Sequence, residues 1–128
     1  LRVKLRHLDK WNNRRTVIAS NYKNKLNEHC LILPFVPEQY DPVWHLFVVH
    51  SKDRDSLQKR LQEKGIDTLI HYPIPPHRQK AYQGLKMKFG DFPLADRLSK
   101  ECLSLPIGPH LSLEQSEAVI KVVNECLL

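Results

Sequence analysis

Glycine is scarce in this chain: four residues, at positions 65, 84, 90 and 108, with no cluster among them. A loop that cradles phosphate with successive backbone N–H groups needs such a cluster, so a P-loop and a dinucleotide-binding glycine turn are excluded. No serine nucleophile of the GxSxG kind occurs either. Cys30, Cys102 and Cys126 form no CxxC pair and lie in apolar contexts. They are expected to be buried, reduced thiols of a cytoplasmic protein rather than a disulfide framework or a zinc site. His71 and His77 are separated by prolines and do not form the helical HExxH arrangement of a metalloprotease. No apolar run approaches the roughly 18 residues of a membrane span. The N-terminus lacks the apolar core of a signal peptide. The first residue is Leu1, and a piece of a longer protein is expected. Internal repeats and low-complexity tracts are absent.

What is present is an ordinary globular composition, 41% apolar and 27% charged, on a chain long enough for one domain. A domain of this size buries roughly two-thirds of its unfolded surface. The net charge of +6 is unevenly placed. Arg2, Lys4, Arg6, Lys10, Arg14, Arg15, Lys23 and Lys25 stand against Asp9 alone in residues 1–25, so the whole excess lies there. Leu5, Leu8, Trp11, Ile18, Tyr22 and Leu26 recur at helical spacing in the same segment, which predicts a helix of some twenty residues, apolar on one side and basic on the other. Such a face serves either as a binding surface for nucleic acid or another polyanion, or as a solvated face that meets an acidic surface elsewhere in a larger protein.

Beyond it, CLILPFVP (30–37) reads as a short strand ended by prolines, and VWHLFVVH (43–50) as a strand largely buried on both faces. SKDRDSLQKRLQEKG predicts a helix, with Leu57 and Leu61 inward and Gly65 as a left-handed C-terminal cap. IDTLIHY (66–72) reads as another strand, completing a β-α-β element. A helix over about 93–101 with Pro93 in its first turn, an extended CLSLP, and a final helix follow. Ser112 and Gln115 have the spacing of a capping box for that final helix, whose buried stripe is Val119, Val122, Val123, Cys126 and Leu127. The fold class is α+β, a small, mainly antiparallel sheet with packed helices.

Among residues that carry chemistry, Asp53 and Asp55 fall at a helix start, where the helix dipole accounts for them. His45 and His50 lie five apart in a predicted strand and so face opposite sides. The stretch IHYPIPPHRQKAY (70–82) is different, with Pro73, Pro75 and Pro76 between two histidines. Proline fixes φ and restricts the residue before it, so His71, Tyr72, His77 and Arg78 are expected on a stiff loop with little entropy left to lose on binding. Their imidazole, phenol and guanidinium groups suit phosphate and sugar oxygens. A rigid connector whose aromatics only pack on the domain is the alternative.

The segments VKLRHLDKWNNRR, VWHLFVVH, LIHYPIPPHRQKAY and GDFPLADRLSKECLSLPIGPHLS, in that order, closely resemble the C-terminal part of DegT/StrS-type sugar aminotransferases, from about Val3 to Leu127. As a set, HYP, a second histidine a few residues on, FPxA and LSLP are specific to that family. The resemblance implies the small C-terminal domain of an enzyme of the aspartate-aminotransferase fold (fold type I). Residues 1–28 would be a long basic connecting helix and 30–128 the α+β body. Family members use pyridoxal phosphate to move an amino group, usually from glutamate, onto a keto sugar carried by a nucleotide diphosphate.

A large N-terminal domain supplies their cofactor site and the Schiff-base lysine. No segment of this sequence resembles that lysine's motif or the aspartate that pairs with the pyridine nitrogen. The chain by itself is therefore expected to bind no cofactor and to be inactive, the missing large domain being its partner in a parent enzyme expected to be a homodimer. The resemblance carries His71, Tyr72 and His77 over as substrate-binding residues near the cleft, with His45 a further candidate. It carries no role for Arg78, and it implies no membrane or nucleic-acid partner.

Overall fold

The computed structural model describes residues 1–85 and 91–127. Gly90 of the GDFPLAD motif and Leu128 of the body lie outside them.

The basic helix is broken in two, α1 (Arg2–Leu5) and α2 (Leu8–Lys25), at a turn where His7 donates its backbone N–H to Lys4 O (3.0 Å). Only the C-terminal part of its apolar stripe is used. Ile18, Ala19, Tyr22 and Leu26 are buried, whereas Leu5 is 57% and Leu8 43% exposed. Packing supplies most of a helix's stability, and among the described residues the first turns bury no side chain. Trp11 stacks with the ring of His7 at 5.7 Å instead of entering the core.

The sheet is smaller than the pattern of apolar runs suggested. Its ladder consists of β1 (Phe47–His50) and β2 (Cys102–Leu105), antiparallel, with Phe47 opposite Leu105 and His50 opposite Cys102. The two other predicted strands contribute one bridge each, Ile32 to His50 on one side and Leu69 to Ser104 on the other. Pro34 and Pro37 remove the donors that would extend the first. The segment around Leu69 runs parallel to β1 with β2 between them, so the β-α-β unit is a split one. VWHLFVVH also enters the ladder late, at Phe47. Trp44 has a left-handed φ of 52°, and Arg15 Nη1 donates to the carbonyls of Trp44 (3.2 Å) and His45 (3.0 Å). Within β1 Phe47 and Val49 are buried and Val48 and His50 half-buried, so one face rather than two is sealed.

Helix α3 (Arg54–Glu63) buries Leu57 and Leu61. It ends as expected at Gly65, φ +79°, with Gly65 N–H donating to Gln62 O (2.9 Å) and Ile66 N–H to Leu61 O (2.9 Å). That pair of bonds is the Schellman closure. Helix α4 (Pro93–Glu101) has Pro93 at its first position. Its C-terminal end is held by the buried guanidinium of Arg54, which donates to Ser99 O (3.3 Å) and Cys102 O (3.1 Å). These carbonyls would otherwise be orphaned at the negative end of the helix dipole. Helix α5 (Leu113–Cys126) carries the capping box: Gln115 N–H donates to Ser112 Oγ (3.1 Å), and Ser112 N–H to Gln115 Oε1 (2.8 Å).

Tyr22, Phe47, Leu31, Leu57, Leu61, Leu103, Leu105, Val119 and Val123 form the core between α2, α3, α5 and the sheet. The rings of Tyr22 and Phe47 meet edge to face at 5.0 Å, and the Tyr22 hydroxyl donates to Pro106 O (2.6 Å). Burial pushes the Tyr22 phenol well above its ordinary range. In α5, Ile120 and Ser116 are buried, while Val122, and Leu127 just past the helix end, only border the core. The cysteines divide: Cys126 is buried, Cys102 half-buried and Cys30 exposed, all three free, so burial of every thiol is corrected. Cys30 sits beyond the end of α2, with its Sγ turned to Leu127 O (3.8 Å). Among the described residues no helix is long and apolar enough to cross a membrane, and no group of three or more His, Cys, Asp or Glu could hold a metal.

The positive φ of Gly65 makes a direct prediction. A Cβ there meets no atom within 4 Å, so Gly65→Ala tests backbone strain alone. Urea denaturation should show a loss of about 1 kcal/mol, with an unchanged slope.

Candidate functional site

The proline-rich loop leaves the sheet at Leu69 and is built from short turns. Pro75 is extended (φ −67°, ψ 154°), and Pro76–Arg78 then form one 3₁₀ turn with proline at its first position. A second such turn covers Lys80–Leu85. Arg78 N–H donates to Pro75 O (2.9 Å) and Gln79 N–H to Pro76 O (3.1 Å). With Tyr82 N–H to Gln79 O (2.9 Å) these are backbone bonds within the loop, and beyond Leu69 side chains attach it to the body.

His71 Nδ1 is 2.9 Å from the hydroxyl of Ser104, a buried residue of β2. The bond orients the imidazole and leaves Nε2 for another partner. His71 also lines a cavity of about 220 Å³ with Asp67, Thr68, Ser104 and His110. Tyr72 stands beside it, its ring at 5.6 Å and nearly perpendicular, and is 75% exposed; the His71–Tyr72 peptide is cis. These two side chains are displayed, as a binding rim requires.

His77 is placed differently from the expectation of a displayed side chain. Its side chain is 7% exposed, its Nε2 lies 2.9 Å from Asp96 Oδ1, and the ring of Phe92 covers it at 4.9 Å. Arg78 joins the same carboxylate through two bonds, Nε to Oδ1 (3.2 Å) and Nη2 to Oδ2 (3.1 Å), the fork geometry guanidinium favours. The Arg78 hydrogen bonds, aided by His77 and opposed by partial burial, hold the Asp96 carboxyl down at about 2. His45 lies outside the ladder and is exposed, so His45 and His50 are not two faces of one strand. It lines a separate cavity of about 200 Å³ with Leu8, Trp11, Asn12, Arg15 and Val43. The structure thus brings His71 and Tyr72 together and puts His77 at the base of the same loop. His45 belongs to another place on the surface.

Sequence reasoning missed Asp96, Ser104 and Arg54. Asp96 stands inside FPLAD and Ser104 inside LSLP, both quoted for their family likeness but assigned no partner. The polar residue in the otherwise apolar CLSL strand was the available signal.

The loop's arrangement can be set against proteins of known kind. Residues 1–124 match the model of the DegT/DnrJ/EryC1/StrS aminotransferase family. The chain belongs to this family.

Among curated relatives, the erythromycin biosynthesis sensory transduction protein EryC1 of Saccharopolyspora erythraea is 50% identical over 97% of the chain and 34% of its own length. The dTDP-3-amino-3,4,6-trideoxy-alpha-D-glucose transaminase of Streptomyces venezuelae is 46% identical over 98% of the chain and 33% of its own length. The crystal structure of S. venezuelae DesV, in complex with a ketimine intermediate, superposes with a TM-score of 0.94 at 44% identity, over 98% of this chain and 34% of that one. The chain therefore spans about a third of the length of the relatives it matches. The α+β fold with a small antiparallel sheet is the family's own.

The family is pyridoxal-phosphate dependent, and a Bacillus subtilis neighbour at 28% identity and TM-score 0.80 was solved with bound cofactor PMP. A lysine that forms an imine must react as a neutral amine, which requires desolvation or a neighbouring cation. Every lysine among the described residues is exposed, so these residues do not fit that demand and no chemical step is assigned to them.

The Asp96 cluster gives a pH prediction. Its carboxyl titrates lower when folded than the ordinary 3.8, so the attachment contributes above that value and is lost as pH falls through about 2. Carbon NMR of the carboxyl should show this midpoint. Arg78→Ala should return it toward the ordinary range, and an unmoved midpoint would show that Arg78 is not the cause.

Proposed function

We propose that this chain is the C-terminal small domain of a nucleotide-sugar aminotransferase, one that moves an amino group from an amino acid, glutamate being the expected donor, to a keto sugar on a nucleotide diphosphate. The supporting observation is the family match over residues 1–124, with relatives named as transaminases of dTDP-linked amino sugars among its most similar. In this reading residues 1–28 join the body to a large domain, which holds pyridoxal phosphate and the reactive lysine, in a cytoplasmic homodimer. Pyridoxal phosphate supplies the electron sink that makes amino transfer possible.

The part played by the present residues is recognition. The exposed Tyr72 phenol and the free Nε2 of His71 are hydrogen-bonding groups on a loop already ordered before substrate arrives, which lowers the entropic cost of binding. His77 supports the rim from below, and His45, in its separate cavity, remains a weaker substrate contact. The basic segment has a structural use that competes with polyanion binding. Arg14 donates twice to Leu111 O, at 3.1 and 2.9 Å, and Arg15 holds the Trp44 and His45 carbonyls.

In the intact protein, His71→Ala and Tyr72→Ala should each raise KM for the nucleotide sugar by about tenfold, the loss of one good hydrogen bond to a desolvated ligand. The cofactor's absorption should stay as in the wild type. Loss of that absorption in either variant would place the residue in the cofactor site and contradict the rim reading.

A further inference from the structure

The loop is fastened at two points to one continuous piece of chain. His71 is tied to Ser104 of β2, and His77 and Arg78 to Asp96 of α4, which runs directly into β2. Between the fastenings lie Tyr72, 75% exposed, and Ile74, 55% exposed. Asp96 accepts three hydrogen bonds, two from the Arg78 fork and one shared with His77 Nε2, while its own side chain is 14% exposed. The other end of α4 is held in turn: Arg54 reaches from α3 to Ser99 O and Cys102 O, and Ser51 N–H donates to Glu101 O (3.0 Å). The core therefore fixes α4, and α4 holds the loop through the Asp96 carboxylate.

We propose that Asp96 is a positioning residue for substrate recognition: together with the Ser104 bond to His71 it sets the place of Tyr72, without touching the ligand. The inference rests on the reading that those side chains meet the nucleotide sugar. The prolines make the side-chain anchors decisive. Pro73, Pro75 and Pro76 offer no N–H, so the loop cannot be drawn onto the sheet by a ladder. Asn at position 96 keeps the shape but loses the negative charge and one of the acceptor oxygens that the fork needs.

The test uses the intact protein carrying Asp96→Asn, with Asp96→Glu as the conservative variant and folding checked by circular dichroism. Asp96→Asn should raise KM for the nucleotide sugar roughly tenfold or more, as small displacements of positioning groups do. The KM for the amino donor and the cofactor absorption should hold, and Asp96→Glu should recover part of the loss. An unchanged nucleotide-sugar KM, or equal losses for both substrates, would overturn the proposal. Hydrogen exchange separates the anchor from the function. Arg78 and Gln79 amides should exchange at least tenfold faster in Asp96→Asn while those of α2 and α5 are unaffected. If the wild type transfers no amino group to any nucleotide-linked keto sugar, the function reading fails and exchange alone decides the anchor. Unaltered exchange at Arg78 and Gln79 would then refute it.

Discussion

The scarcity of backbone donors in the stretch from Pro73 to Pro76, where Ile74 alone carries an N–H, is the constraint on which the site depends. A segment with three prolines among four residues cannot join a sheet and cannot continue a helix. It must be held by side chains, and here the holders are Ser104 on β2 and Asp96 on α4. Everything that fixes those two residues also fixes the rim. The two-stranded ladder acts on the loop directly through Ser104, and the buried guanidinium of Arg54 and the Leu57–Leu61 face of α3 act on it through the elements they hold.

The same logic explains the use of arginine elsewhere. Arg14, Arg15 and Arg54 each spend a guanidinium on backbone carbonyls that lie outside ladders or at a helix end. A planar group with several fixed donors suits this task better than the point charge of lysine. A helix that looked like a basic binding surface thus has two of its charges committed to holding chain segments in place, and the exposed Leu5 and Leu8 mark its outer end as an apolar rather than a purely ionic surface.

Elements announced by local chemistry were readable in the sequence. Gly65 and the Ser112–Gln115 pair signal their caps through a conformational need and a reciprocal bond, both settled within a few residues. Strand lengths were not readable, because the apolar runs 30–37 and 66–72 satisfy a strand pattern but are reduced to single bridges by proline and by the turn at His71. The stripe of α2 overran its burial because periodicity shows which side of a helix is apolar, not how far a neighbour extends. In the candidate site, the loop's importance was legible from its odd composition. The inward turn of His77 was not, since it depends on Asp96, nineteen positions away in the chain.

The central claim is a division of labour within one loop: His71 and Tyr72 outward to the nucleotide sugar, His77 and Arg78 inward to Asp96. A crystal structure of the intact protein with a bound nucleotide-linked sugar tests this most directly. It should show a ligand oxygen within about 3 Å of His71 Nε2 or the Tyr72 hydroxyl, with His77 still on Asp96. A ligand held by His77 swung away from Asp96, or one that leaves His71 and Tyr72 without contact, would contradict the account.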